Sequence, residues 1–207
     1  MPQLKLTYFD AAGRAEPLRI ALFIAGLPFE DNRLSFEQFA ALKQAGAFPL
    51  GSVPVLEVDG FTYTQTSAML RFVARLGETK LYPGDPSEAF ITDSVLDTFN
   101  DTLSNAMVAS MFEPDMAKKL EMRAQFAAGP MARAFGYAES VLARSGGPFF
   151  LGASLSIADL VAAPNVLQIQ GGRFDGISPE ALLPYPGLVR LAEAYLADPR
   201  IVAYQQK

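Results

Sequence analysis

Alternation opens the chain. Leu4, Leu6 and Tyr8 are separated by Lys5 and Thr7, the period-two pattern of a half-buried strand. After the loop Asp10-Ala11-Ala12-Gly13 the period changes. Ile20, Phe23 and Ile24 form a helical stripe, with Pro17 where a first turn tolerates it and Gly26 at the end. Residues 29–34 read as a second strand, and Ser35-x-x-Gln38 as a capping box for a helix running to about Gln44. Val53, Val55, Leu56 and Val58 then make a short β-rich stretch, opened by Pro54 and closed by the turn dipeptide Asp59-Gly60. Phe61-Thr62-Tyr63 completes a hairpin. A polar start, Thr64-Gln65-Thr66-Ser67, leads into a helix carrying Met69, Phe72, Val73 and Leu76 on one side, stopped by Gly77.

The order β-α-β-α-β-β-α is that of a thioredoxin-like α/β domain, expected over residues 1–80. Residues 81–86, Leu-Tyr-Pro-Gly-Asp-Pro, read as a linker. An all-α helical domain is expected over 87–207. Ile91, Val95, Phe99, Leu103 and Met107 step by four along a first long helix, and further helices are expected over 114–128, 130–144, 157–170 and 187–197. Ser156-x-x-Asp159 is a second capping box.

Two features of the middle stretch suit a ligand. Proline has no N–H, so Pro54 belongs at a strand's start or on an edge, where the Val53 backbone is left unpaired. The helix beginning near Thr66 offers free N–H groups and a positive dipole end. An exposed edge beside such a helix end suits a short acidic peptide in extended form. The same residues serve equally as an ordinary edge and cap.

Composition removes whole classes of chemistry. The chain of 207 residues contains no Cys, hence no disulfide, thiolate nucleophile or thiolate metal site. It contains no His, the usual general base and the commonest metal ligand. Any reactive thiol must arrive with the ligand. A net charge of −5 with scattered basic residues argues against nucleic acid. Half the residues are apolar, yet no run approaches membrane-spanning length, and the N-terminus enters a strand directly; a cytoplasmic protein is expected.

Four motifs occur in one order: TYFDAAGRAEPLRIAL, SVPVLEVDG, QTSAMLRF and SLSIADL. Together, and over the whole chain, they resemble the cytosolic glutathione transferases, most closely the sigma class that includes glutathione-dependent prostaglandin D synthases. The resemblance implies that Tyr8 is catalytic, donating a hydrogen bond to the glutathione sulfur, whereas its shared face with Leu4 and Leu6 alone would make it core. It implies that Arg14 lies near Tyr8 and polarises its hydroxyl. It further implies that Pro54 is cis and that the Val53 backbone pairs with the cysteinyl part of glutathione. Gln65 and Thr66 match the family's γ-glutamyl-binding pair, though both could simply cap the helix. Phe39 and Lys43 match a Trp and a Lys that approach the glycine end; Phe39 lacks the indole N–H. Ser52 stands where relatives often carry Gln or Lys, so a weaker glycine-end clamp is expected.

Asp93, Asp97, Asn100 and Asp101 form a polar stripe that reads as a solvated face. By resemblance the chain is a homodimer in which Asp101 reaches the glutathione of the partner subunit. Asn100 replaces one carboxylate of a cation site found in some relatives, and no metal is expected. The electrophile pocket is expected between the domains, with Phe9 and Gly13 from the first and Val108, Met111 and Val161 from the second. Aromatics at the positions of Val108 and Val161 accompany prostaglandin isomerase activity, so a generalist pocket is expected. The function implied is conjugation of the glutathione thiolate to small hydrophobic electrophiles. A ligand carrier or structural protein on the same fold is the alternative, as is a glutathione-dependent isomerase or peroxidase. Phe48 and Leu50 read either as a hydrophobic key into a partner or as a cap on their own loop.

Overall fold

The computed structural model describes residues 1–104 and 110–207, which form two compact units, Met1–Tyr82 and Pro83–Lys207. The first unit runs β1 (Leu4–Phe9), a 3-10 turn (Gly13–Ala15), α1 (Glu16–Ile24), β2 (Glu30–Leu34), α2 (Phe36–Gln44), β3 (Val55–Val58), β4 (Phe61–Tyr63) and α3 (Thr66–Leu76). The strands lie in the order β2-β1-β3-β4, with β1 and β2 parallel and the other pairs antiparallel. Leu4 and Leu6 bury the inward side of β1, and α1 packs against α3 through apolar stripes that include Leu18, Leu22, Leu70 and Val73. Asp59 (φ 50°) and Gly60 (φ 84°) both take positive φ, the backbone that a two-residue hairpin of matching twist needs.

Three local readings are decided by the structure. Of the two places expected for Pro54 the structure takes the strand's start and not an edge: Val53 and Pro54 lie directly ahead of β3, which is flanked by β1 and β4 and whose first pair on the β1 side is Thr7–Val55. Gly77 ends α3 as expected, with extended backbone (φ −77°, ψ 173°). It is small because the chain passes Ala25, where a Cβ would meet the Ala25 Cβ and carbonyl at 2.5 Å. Phe48 is no external key. Its ring is buried and stacks on Phe39 at 5.5 Å, while Leu50 remains exposed.

In the second unit Asp85 caps α4 (Pro86–Phe99) by accepting from the Ser87 and Glu88 N–H groups, and a π-helical turn follows over Asn100–Ser104. Next come α5 (Met116–Phe126), α6 (Ala132–Ser145), α7 (Ile157–Gln170), α8 (Pro186–Ala197) and α9 (Pro199–Gln205). Expected separate helices over 114–128 and 130–144 are instead continuous. Pro130 lacks an N–H, and the chain absorbs it by widening to a π-helical turn over Ala127–Met131. Helix α9, capped by the Asp198 carboxylate on Arg200 N, was not expected. The acid half of the second capping box is present. Asp159 is fully buried and accepts from Ser156 N (2.7 Å), Ser156 Oγ (2.7 Å) and Phe150 N (3.0 Å). Burial nevertheless pushes its carboxyl up to about 6, against these hydrogen bonds. Among the described residues no helix is long and apolar enough to cross a membrane.

Candidate functional site

Sheet register gathers the candidates of the first unit. Thr7 pairs with Val55 and Leu56 with Tyr63, so Tyr8, the Val53-Pro54 peptide and Gln65-Thr66 leave three adjacent strands at one end. Two strand spacings span about 10 Å, and three extended residues span about 10 Å as well. A tripeptide laid across this sheet end therefore reaches from the Tyr8 strand to the start of α3.

Tyr8 is half-buried, and the loop that follows it folds back over its ring. The Tyr8 Oη accepts a hydrogen bond from the Arg14 N–H at 3.2 Å. Among the described residues this is the phenol's one hydrogen bond, and it uses the oxygen as acceptor. The O–H proton is left to donate elsewhere. The contact from Arg14 is thus made by its backbone, which the sequence reading did not distinguish from its side chain. Gly13 sits directly over the phenol. Its φ is +43°, and a Cβ there would lie 2.6 Å from Tyr8 Oη, so glycine is required by conformation and by space.

At the neighbouring strand end the Val53–Pro54 peptide is cis, Pro54 is buried and Ser52 is exposed. Gln65 precedes α3 at φ 74°, ψ 103°, a backbone costly for a residue with a Cβ. Gln65 holds the N-cap position, but its side chain makes no hydrogen bond to the helix end and so does not cap it. The turn leaves the first N–H groups of α3, beginning at Thr66, directed out of the helix end, where an anion is favoured.

Helix α2 buries none of its residues. Phe39 lies between Phe9 (5.1 Å, edge-on) and Phe48, and Lys43 Nζ stands 5.8 Å from the Phe39 ring centre. Phe9 also meets Phe36 at 4.8 Å. The Phe9 ring, expected to face an electrophile, is therefore engaged with the aromatics of α2. Lys43 is exposed and carried by its aromatic support.

The chain matches the glutathione S-transferase N-terminal domain over residues 4–75 and the glutathione S-transferase C-terminal domain over residues 100–207. It belongs to the glutathione S-transferase family. Glutathione S-transferase 1 of Ascaris suum is 37% identical to this chain over 166 residues, 78% of this chain and 77% of that protein. The structure of prostaglandin synthase D of Nilaparvata lugens matches with a TM-score of 0.82 at 29% identity, over 100% of this chain and 98% of that one. That of Na-GST-3 of Necator americanus, described as monomeric, matches with a TM-score of 0.78 at 28% identity, over 99% and 96%. Members of this family use glutathione as co-substrate.

In the second unit of this transferase, Asp101 is exposed on the π-helical turn after α4 and lines an open groove of about 460 Å³ with Arg133 and Tyr137. Met111 is exposed; Val161 is buried in α7 beside Leu160 and Ala162. Val108 lies outside the described residues. Among the described residues no group of three or more His, Cys, Asp or Glu could hold a metal ion.

Sequence reasoning missed Arg19. It stands in the apolar run Leu18-Arg19-Ile20-Ala21-Leu22, only 2% exposed, and donates to Asp31, Glu16 and the carbonyls of Phe9, Ala11 and Ala12. An arginine inside an otherwise buried helical stripe was the available signal.

Proposed function

We propose that this transferase joins the thiolate of glutathione to small hydrophobic electrophiles, with the Tyr8 phenol holding the sulfur ionised. The observation that carries this reading is the Tyr8 hydroxyl itself: among the described residues its oxygen accepts from the Arg14 N–H and its proton is left to donate.

A free thiol of pKa about 8.5 is mostly protonated at neutral pH, and the thiolate is the nucleophile. Lowering that value by about two units requires about 2.7 kcal/mol of preferential thiolate stabilisation. One hydrogen bond to a charged acceptor supplies about 1.5–3 kcal/mol. The Arg14 N–H, by drawing on the phenol oxygen, makes its proton a better donor. The thiol proton passes to solvent on binding, the S–C bond forms, and the electrophile's leaving group departs with the bonding pair. No histidine base is called for, and the chain has none.

The remaining roles follow along the sheet end. Backbone at Val53, ahead of Pro54, pairs with the cysteinyl residue, and Gln65 with the Thr66 helix end binds the γ-glutamyl carboxylate. Lys43 faces the glycyl carboxylate, helped by Phe39 and weakly by Ser52. Gly13 borders the electrophile on the side of the first unit. A homodimer completes the site, with Asp101 reaching the partner's glutathione. Mixing the protein with glutathione at neutral pH tests the central claim. A thiolate ultraviolet band is expected, and Tyr8→Phe abolishes most of it together with turnover of an activated aromatic halide. A carrier would bind glutathione and turn over nothing.

A further inference from the structure

Between Tyr8 and the residue that caps its oxygen lie only five positions, and one buried guanidinium holds most of them. Arg19 Nη1 donates to the Ala11 carbonyl at 2.7 Å and the Ala12 carbonyl at 3.5 Å, and Nη2 to the Phe9 carbonyl at 3.3 Å. Its Nε is anchored on both oxygens of Asp31 in β2, at 3.1 Å each, and Nη1 also reaches Glu16 Oε2 at 3.3 Å. Asp31 in turn accepts from Arg33 Nε at 2.9 Å, and Arg33 Nη1 donates to Asp10 at 2.8 Å. The loop is therefore tied from inside by Arg19 and from outside through Asp10, while β2 supplies the fixed point.

We propose that Arg19 is a positioning residue for the thiol-activating tyrosine: by fixing the carbonyls of the loop from Phe9 to Ala12, it sets how closely Gly13 and the Arg14 N–H approach the Tyr8 oxygen. The proposal rests on the reading of Tyr8 as the donor to the glutathione sulfur. A loop that returns to hydrogen-bond the side chain it started from is sensitive to small displacements. The 3.2 Å separation of Arg14 N and Tyr8 Oη is already at the long end of a useful bond, so a further few tenths of an ångström weakens it steeply. A planar guanidinium suits the task because its two edges point to different partners at once, carboxylate on one side and carbonyls on the other. An ammonium has three donors on one atom and spans only one of those groups. The fold does not need a charge at this buried place for its own sake, since paired buried charges commonly add little net stability.

Arg19→Lys tests the assignment, with Asp31→Asn as a second variant that keeps the guanidinium and loosens its anchor. Three readouts are taken: the apparent pKa of the bound glutathione thiol from its ultraviolet titration, affinity for S-methylglutathione, and thermal stability. The expected result for Arg19→Lys is a bound-thiol pKa higher by about one unit, which is about tenfold less thiolate well below that pKa. At such a pH turnover falls by a similar factor in kcat, and by about threefold at neutral pH; KM for glutathione changes by less than about threefold, and S-methylglutathione binds as before; Asp31→Asn gives a smaller shift in the same direction. A bound-thiol pKa equal to wild type in both variants, with only a lowered melting temperature, overturns the proposal and leaves Arg19 a fold staple. So does loss of folding in both. Tyr8→Phe is measured alongside: if that change leaves the thiolate band intact, the tyrosine reading itself has failed, a result distinct from any Arg19 outcome.

Discussion

At the scale of single residues, the site depends on how little room surrounds one phenol. Gly13 presses on the Tyr8 oxygen at a positive φ, so Gly13→Ala carries two penalties at once. The left-handed backbone costs about 1–2 kcal/mol with a Cβ, and the methyl group displaces the phenol or the Arg14 N–H. Turnover is expected to drop at least about tenfold, as for one lost charge-assisted hydrogen bond, together with loss of the thiolate band; a fully active Gly13→Ala enzyme contradicts this geometry. Asp159 supplies the pH dependence. Its folded value of about 6 exceeds the ordinary carboxyl value, so the native state binds this proton more tightly than the unfolded chain. Its contribution to stability is thus full below about pH 4 and is lost as pH rises through about 6. Melting temperatures measured from pH 4.5 to 7.5 are expected to fall more steeply with pH in the wild type than in Asp159→Asn, which cannot titrate.

At the scale of elements, local rules explain much and neighbours explain the rest. The capping box at Ser35 and Gln38 is formed as its spacing required, with Gln38 N donating to Ser35 Oγ and Ser35 N to Gln38 Oε1. The Asp59-Gly60 turn likewise follows from residues adjacent in sequence. What spacing could not reveal was that Gln65 does not cap α3, or that Gly77 serves a close passage by Ala25, because both depend on backbone paths set from outside the helix. Gln65 at φ 74° is held against its preference, and replacement by Gly relieves that. Gln65→Gly is expected to raise stability by about 1 kcal/mol while weakening glutathione binding about tenfold; paired melting and affinity measurements check the opposite signs. Lys43 stands on Phe39 at the rim of a helix with no fully buried residue. Lys43→Ala is expected to raise KM for glutathione a few-fold with kcat unchanged, as suits an exposed single charge worth less than about 1 kcal/mol.

At the scale of the whole molecule, the sequence motifs and both domain matches lead to the same family, and the candidate residues of the first unit come together through one sheet end. Sedimentation is the direct check on the proposed homodimer, which should run at twice the 22.4 kDa chain mass. Asp101→Ala should then weaken glutathione binding without changing that mass.

The sequence by itself determined the element order of the first unit, the hairpin turn, the Ser35–Gln38 capping box and the absence of any protein thiol or imidazole. Each of these depends on residue identity or on spacing within a few positions, which chain connectivity preserves. Only the tertiary structure decided that β3 is interior, that Phe9 is engaged by α2, and that a backbone N–H rather than a side chain meets the Tyr8 oxygen. It also decided that Arg19 is buried against the loop that carries both. Those facts depend on which groups distant in sequence share a few cubic ångströms, and a linear pattern of polar and apolar positions carries no record of such meetings.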